Sequence, residues 1–463
     1  MGFSRKEKIA YGIGAIGKDM VYALSASYVM YYYQDILGLS ATFVGFILMI
    51  ARVFDAANDP LMGVIVAKTK SKFGKFRPWL LSGTVLNALV LYALFAAPDL
   101  KGTGLMVYFA IIYILWGMTY TMMDIPYWSM IPAVTDNSKD RESLSVVGRT
   151  CAGVGNALIT IGTVMAVAFL GVGSERVGFK RFGLVIAIIF IITELILFLV
   201  IKEKSTDNNM ETTSVKEMFT SLFKNDQAMV TVITIVLINS ALYITSNLII
   251  YFFKYDMGYA LGGNGWTGNY TIFNSVGGAS QILGMMLLYP LLRKKFSNTH
   301  IFKLCLTAAI TGYALLLLFC LLGFSNNLIL LLIPGILVFL ANGILTVLTT
   351  IFLSSSVDYG ELKTGHREES VIFSMQTFVV KLASGVAVFL TGIGLDLIGL
   401  VGNINEGEEI VQQSAATLTG LRLLMTIIPI LGLLAAFFIF TKKFILDDKK
   451  AEEIAIELKE KRG

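Results

Sequence analysis

Asp55 and Asp59 stand four residues apart in "RVFDAANDP", on one face of a helix with Asn58 beside them. Two carboxylates this close repel strongly in an apolar setting. They stay ionised only if a cation or a basic side chain sits between them. Oxygen donors alone suit a hard ion such as Na+ or Li+, while the same repulsion favours H+ on one of the two acids. A structural ion-pair network with Lys18, Arg52 or Lys381 is the competing reading. A second constellation lies in "WGMTYTMMDIPYWSM", where Asp124 and Trp128 share a face, with Tyr120 one turn before Asp124 and Thr121 three residues before it. A carboxylate accepts two hydroxyl hydrogen bonds and an aromatic ring packs on the apolar face of a pyranose, so an acid next to an indole suits a sugar. For Trp116 and Trp128 the alternative is an aromatic belt at a membrane interface. Lys18 and Asp19 set a donor beside an acceptor, and Arg149 adds a forked donor whose alternative is a buried salt bridge. In "SMQTFVVKLASG", Gln376, Thr377 and Lys381 are further candidate lining, Thr377 and Lys381 sharing a face.

The elements that hold these residues are apolar. The 463 residues are 56% hydrophobic and 15% charged, with a mean hydropathy of +0.73. That is too apolar for a soluble domain of this length and describes an all-α polytopic membrane protein. Glycine is plentiful (43) and proline scarce (8), which suits close helix packing in lipid. Most basic residues are explained by membrane orientation, so nucleic acid is not an expected partner. Three cysteines inside apolar runs and two histidines near basic loops give no disulfide framework or metal cluster. The first apolar run carries Lys18 and Asp19 and lacks a small-residue cleavage site, so it is expected to stay in the mature protein. "GIGAIGKD" matches a dinucleotide-binding pattern, but neither a strand before it nor a soluble helix after it is visible. Its glycines instead let the first span approach a neighbouring helix.

Twelve stretches are long enough to cross a bilayer, near 10–35, 41–67, 78–97, 104–131, 144–170, 182–201, 229–253, 267–291, 301–323, 328–353, 371–400 and 418–441. The polar interval 202–228 separates a six-helix bundle over 1–201 from a second over 229–441, with a tail at 442–463. Lys and Arg fall so that both termini, the middle loop and the tail are expected in the cytoplasm, with "GSERVGFKRFG" as an outside loop. The tail mixes apolar residues at helical spacing with alternating charge; a solvated helix is expected, with a membrane-surface or regulatory role as the alternative. The basic loops "KTKSKFGKFRP" and "RKKFSNTH" occupy equivalent places in the two halves. Six plus six helices with matched loops predict a major facilitator fold, whose halves are parallel repeats. Asp358, Glu361, Arg367 and Glu369 form either a gate network or ordinary solvated charge.

The blocks "GAIGKD", "DAANDP", "GKFRPW", "WGMTYTMMDIPYW", "DYGE" and "MQTFVVK" resemble, in order and over nearly the whole chain, the glycoside-pentoside-hexuronide:cation symporters, and within them the melibiose carriers. The resemblance implies import of a sugar with Na+, Li+ or H+ through the cytoplasmic membrane, with no catalysis and no cofactor beyond the coupling ion. It implies a cation site at Asp55, Asn58, Asp59 and Thr121. It implies a sugar site at Lys18, Asp19, Asp124, Trp128 and Arg149, joined by Gln376, Thr377 and Lys381. Tyr120 belongs to the candidate sugar site by its place one turn before Asp124. Thr346 stands where those carriers have a tryptophan, which leaves the second sugar ring open; an α-galactoside is the best single expectation. Another glycoside, a pentoside, a hexuronide, or a non-transporting sugar sensor on the same fold are the alternatives. The expected partners are the sugar, a monovalent cation and the lipid bilayer, with no obligate protein partner.

Overall fold

The computed structural model describes residues 4–134, 138–203, 223–258, 265–364, 369–402 and 410–462. Among the described residues every regular element is helical. Twelve long helices follow in order: α1 (Arg5–Tyr31), α2 (Ala41–Lys68), α3 (Arg77–Phe95), α4 (Thr103–Ser129), α5 (Ser138–Gly171), α6 (Glu175–Val200), α7 (Asp226–Tyr251), α8 (Trp266–Leu283), α9 (Asn298–Leu321), α10 (Leu328–Thr364), α11 (Glu369–Leu397) and α12 (Ala415–Lys443). A thirteenth, α13 (Asp448–Arg462), forms the tail. Helices α3 to α12 contain stretches apolar enough to cross a membrane. The first two, 27 and 28 residues long, reach the same span at about 1.5 Å per residue but carry the charges of the candidate sites. Large apolar side chains such as Phe169, Leu199 and Ile329 point outward, as a lipid-facing surface requires.

The chain divides into two compact units, one of residues 1–212 with 401–411 and one of 213–400 with 412–463. In the first, α1 packs on α5 and α6, α2 on α4, and α3 on α4 and α6. In the second, α7 packs on α10, α11 and α12, α8 on α10, and α9 on α10 and α12. The first helix of each unit ends the same way, α1 running into a π-helical turn at Tyr32–Ile36 and α7 into one at Phe252–Met257.

Local chemistry sets the ends. Ser4 and Glu7 form a reciprocal capping box at the start of α1, and Ser40, Ser174, Asn225 and Ser414 cap α2, α6, α7 and α12. The start of α3 is held from a distance, with Glu203 accepting the backbone N–H groups of Lys75, Phe76 and Arg77 at 2.7, 2.9 and 3.0 Å. A carboxylate there satisfies orphan donors at the positive end of the helix.

Three sequence expectations are corrected. Helix α6 begins at Glu175, so Arg176, Lys180 and Arg181 belong to its first turns rather than to a loop. Ser174 caps it, Arg176 pairs with Asp99 at 3.3 Å, and Arg181 donates to the Leu170 carbonyl at 2.7 Å. Helix α10 runs 11 residues beyond the expected end of its span, to Thr364. The tail is helical but not solvated all round. Ile454 and Leu458 bury, with Leu446, against Tyr359, Leu362 and Phe444, and Asp448 pairs with Arg293 at 2.7 Å.

Candidate functional site

Both candidate sites of the first unit are built on α4. Pro126 inside this helix removes one backbone donor and loosens its last turns. One face, carrying Gly117 and Thr121, meets α2. The Thr121 hydroxyl donates to Asp59 Oδ1 at 3.0 Å, and a Cβ added to Gly117 would lie 2.7 Å from Asp55 Oδ1. A glycine is therefore what allows the Asp55 carboxylate against α4. Asp55 is buried and Asn58 and Asp59 are half-buried. The Arg52 guanidinium reaches Asp55 Oδ2 at 3.6 Å, one turn away on the same helix, and sits over the Tyr22 ring at 5.4 Å. Of the basic residues named for an ion-pair network, Arg52 is thus brought to Asp55, at a long distance for a tight pair, while Lys18 is engaged elsewhere. The Asp55 and Asp59 carboxylates and the Thr121 hydroxyl are thus brought to the same α2–α4 contact, oxygen donors of the kind a hard monovalent cation takes; for Asn58 only its half-burial on α2 is shown.

The adjoining row of the same α4 stripe, Tyr120, Asp124 and Trp128, meets α1. Lys18 is buried, with its ammonium 2.6 Å from Asp124 Oδ1 and 3.0 Å from Asp19 Oδ2. It donates to the Tyr120 hydroxyl at 3.3 Å and lies 5.1 Å from the centre of the Trp128 ring and 5.4 Å from that of Tyr127. Asp19 and Asp124 keep 19% and 23% of their side chains exposed, so both acceptors remain reachable while the cation between them does not. Arg149 is exposed and stacks over Trp128 at 4.4 Å. Among the described residues its contact is this ring rather than a buried carboxylate. Trp116 is buried inside the unit, stacked with Tyr113 and Tyr120, which removes it from a membrane-interface role. Tyr11 and Tyr127 stack at 4.5 Å and each hydroxyl donates to the other's carbonyl, which fixes α1 against α4 below Lys18.

Between the two rows runs a short series of contacts. Arg52 lies over Tyr22, and the Tyr22 ring is 5.5 Å from Tyr120, which hydrogen-bonds Lys18. Thr121 and Asp124 are three residues apart on one helix, about 4.5 Å of rise.

The glycines at the start of α1 do serve packing. A Cβ on Gly17 would overlap the Thr193 hydroxyl of α6, and one on Gly14 would lie 2.8 Å from Leu197. On that same interface is an acid that sequence reading passes over. Glu194 of α6 is fully buried, and neither of its carboxylate oxygens has a hydrogen-bond partner among the described residues. The signal for it was a lone acid in "IIFIITELILFLV", an otherwise uninterrupted apolar run.

The remaining candidates lie in the second unit. Gln376 and Lys381 are half-buried on α11, and the Thr377 side chain lies outside the described residues. On α10, Asp358 and Glu361 are half-buried, whereas Arg367 and the Glu369 side chain lie outside the described residues. The Thr346 hydroxyl turns back to the Asn342 carbonyl of its own helix at 2.9 Å.

The helical bundle is that of the major facilitator transporters. A solved structure of a mutant of the nucleoside transporter NupG aligns with a TM-score of 0.67 at 14% identity, covering 94% of this chain and 100% of that one. The xylose transporter XylE from E. coli aligns at 0.61 and 13% identity, covering 96% and 98%. The chain belongs to the MFS/sugar transport protein family, whose model matches residues 10–448. Its relatives include the raffinose carrier protein of Pediococcus pentosaceus, 28% identical over 97% of this chain and 71% of that one. The uncharacterized symporter YjmB of Bacillus subtilis is 29% identical over 99% and 96%, and the lactose permease of Lactobacillus delbrueckii subsp. bulgaricus 27% over 98% and 73%.

Proposed function

We propose that this member of the sugar transport family is a secondary active symporter of the cytoplasmic membrane. It imports an α-galactoside such as melibiose together with Na+, Li+ or H+, by alternating access. The observation that carries this is the double duty of α4: Thr121 on Asp59 and Asp124 on Lys18, three residues apart on one helix. A cation between Asp55 and Asp59 neutralises the repulsion between them and draws Thr121 and α4 toward α2. The same helix then fixes Asp124 and Tyr120 for the sugar hydroxyls. Linkage requires that sugar raise cation affinity by the factor by which cation raises sugar affinity, and this couples the two fluxes. Relatives named for raffinose and lactose support a galactosyl-containing sugar. Gln376, Thr377 and Lys381 are assigned to the sugar from the second unit on the strength of the sequence pattern.

Uptake of radiolabelled melibiose, lactose, a pentoside and a hexuronide into sealed vesicles, under imposed Na+, Li+ or H+ gradients at matched membrane potential, tests this reading. Accumulation of a galactoside driven by one of the ions is the expected result. Accumulation of the pentoside or hexuronide alone would replace the substrate, and equilibration with no response to any ion gradient would remove the symport.

A further inference from the structure

Glu194 is wholly buried on α6, inside an otherwise apolar membrane-length stretch, and both of its carboxylate oxygens lack a hydrogen-bond partner among the described residues. An ionised carboxylate in such a place is among the costliest arrangements a membrane protein can hold. The side chain faces α1, where a Cβ on Gly14 would lie 3.4 Å from Oε1. Gly14 is one turn from Lys18, so the acid stands beside the Lys18, Asp19 and Asp124 cluster, and all three charges act on it. Tyr11 on α1 and Tyr120 and Tyr127 on α4 lie within electrostatic reach of it without hydrogen-bonding it among the described residues. On α3, Arg77 is held over Phe198, one turn further along α6. On α5, Arg149 is exposed over Trp128, and Cys151 faces Gly12.

The charges do not balance with every acid ionised. Asp19, Asp124 and an ionised Glu194 would share one buried ammonium, that of Lys18, which is already 2.6 and 3.0 Å from the first two. A neutral carboxylic acid at Glu194 leaves Lys18 with those two. We propose that Glu194 is a proton-binding residue, distinct from the cation carboxylates Asp55 and Asp59, that holds a proton in the sugar-competent carrier. The proton resides on a Glu194 carboxyl oxygen and keeps this acid from competing for Lys18. When it leaves to solvent, the new carboxylate draws the ammonium away from Asp19 and Asp124, and the pair that accepts sugar hydroxyls is no longer held together. Sugar affinity therefore falls as the proton is lost, and by linkage bound sugar retains the proton. Glu194 acts through Lys18 and is a positioning residue; this consequence rests on the reading of Asp19 and Asp124 as sugar acceptors.

Infrared difference spectra of the purified full-length protein, recorded between mildly acidic and alkaline pH, read the proton without any sugar. The wild type is expected to show the C=O stretch of a protonated carboxylic acid in a dry site, lost in Glu194→Gln and shifted in Glu194→Asp. Spectra of both variants that keep the wild-type band would overturn the assignment. With saturating Na+, melibiose affinity of the wild type is expected to fall about tenfold per pH unit above the titration, and that of Glu194→Gln to stay level. Parallel profiles for the two proteins would overturn the link to Lys18. If no galactoside binds at any pH, the infrared result still decides whether Glu194 holds the proton, and only the sugar reading falls.

Discussion

Replacing Gly117 by alanine puts a methyl group against the Asp55 carboxylate, and the geometry sets how far that carboxylate must move. The added carbon would lie 2.7 Å from Oδ1, against the 3.4 Å at which ordinary van der Waals contact begins, so the oxygen has to retreat by about 0.7 Å. The yielding atom is the tip of a side chain rather than backbone, which makes the substitution mild for folding. It is severe for ion binding, because a site held to within about 0.5 Å loses its ligand geometry at that displacement. The expected cost is on the order of tenfold to a hundredfold in apparent Na+ affinity, about 1.4 to 2.7 kcal/mol. The assay is sugar binding to purified protein at a series of Na+ concentrations, with the thermal unfolding midpoint as a control for folding. The half-saturating Na+ concentration should rise while sugar affinity without Na+ and the midpoint stay close to wild type. An unchanged Na+ dependence would refute the reasoning, since Asp55 could then not be a ligand of the coupling ion.

Asp59→Cys is expected to abolish ion-driven accumulation while leaving measurable sugar binding, checked by vesicle uptake beside equilibrium binding; uphill uptake by this variant would displace the cation site. Asp124→Ala removes the acceptor at 2.6 Å from Lys18 and should eliminate sugar binding, so an unaltered dissociation constant would take Asp124 out of the sugar site. Glu203→Ala strips three backbone N–H groups at the start of α3 of their acceptor and should cost about 1 to 3 kcal/mol, read as a lowered unfolding midpoint with sugar affinity retained. Gly17→Ala forces a carbon onto Thr193, whose Cβ cannot swing aside, and should destabilise the α1 to α6 packing by about 1 to 3 kcal/mol in the same melt.

The helices and the grouping of α4 residues were legible because both rest on local rules. Apolar runs of bilayer length mark spans, and the i,i+4 spacing of Tyr120, Asp124 and Trp128 fixes a shared face whatever the tertiary structure. The sequence places Thr121 beside these residues, three before Asp124, but not which helix it meets; only packing shows that it turns to Asp59. Glu194 was hidden for a physical reason. A single acid in an apolar run has no local partner, and its meaning lies in Gly14 and Lys18 on another helix, 180 and 176 residues away. The start of α6 was misplaced because basic residues read as loop, while Asp99 and the Leu170 carbonyl make them tolerable in a helix. In the tail the apolar spacing was legible, but not what it packs on: its partners, Tyr359 and Leu362, lie on α10.

Calorimetric titration of melibiose into the purified protein with and without Na+, paired with titration of Na+ with and without melibiose, tests most directly whether α4 couples the two sites. The account predicts that each ligand tightens the other by the same factor, and that Thr121→Val shrinks both factors together. Sugar affinity that is equal with and without Na+, Li+ or a change of pH would contradict it.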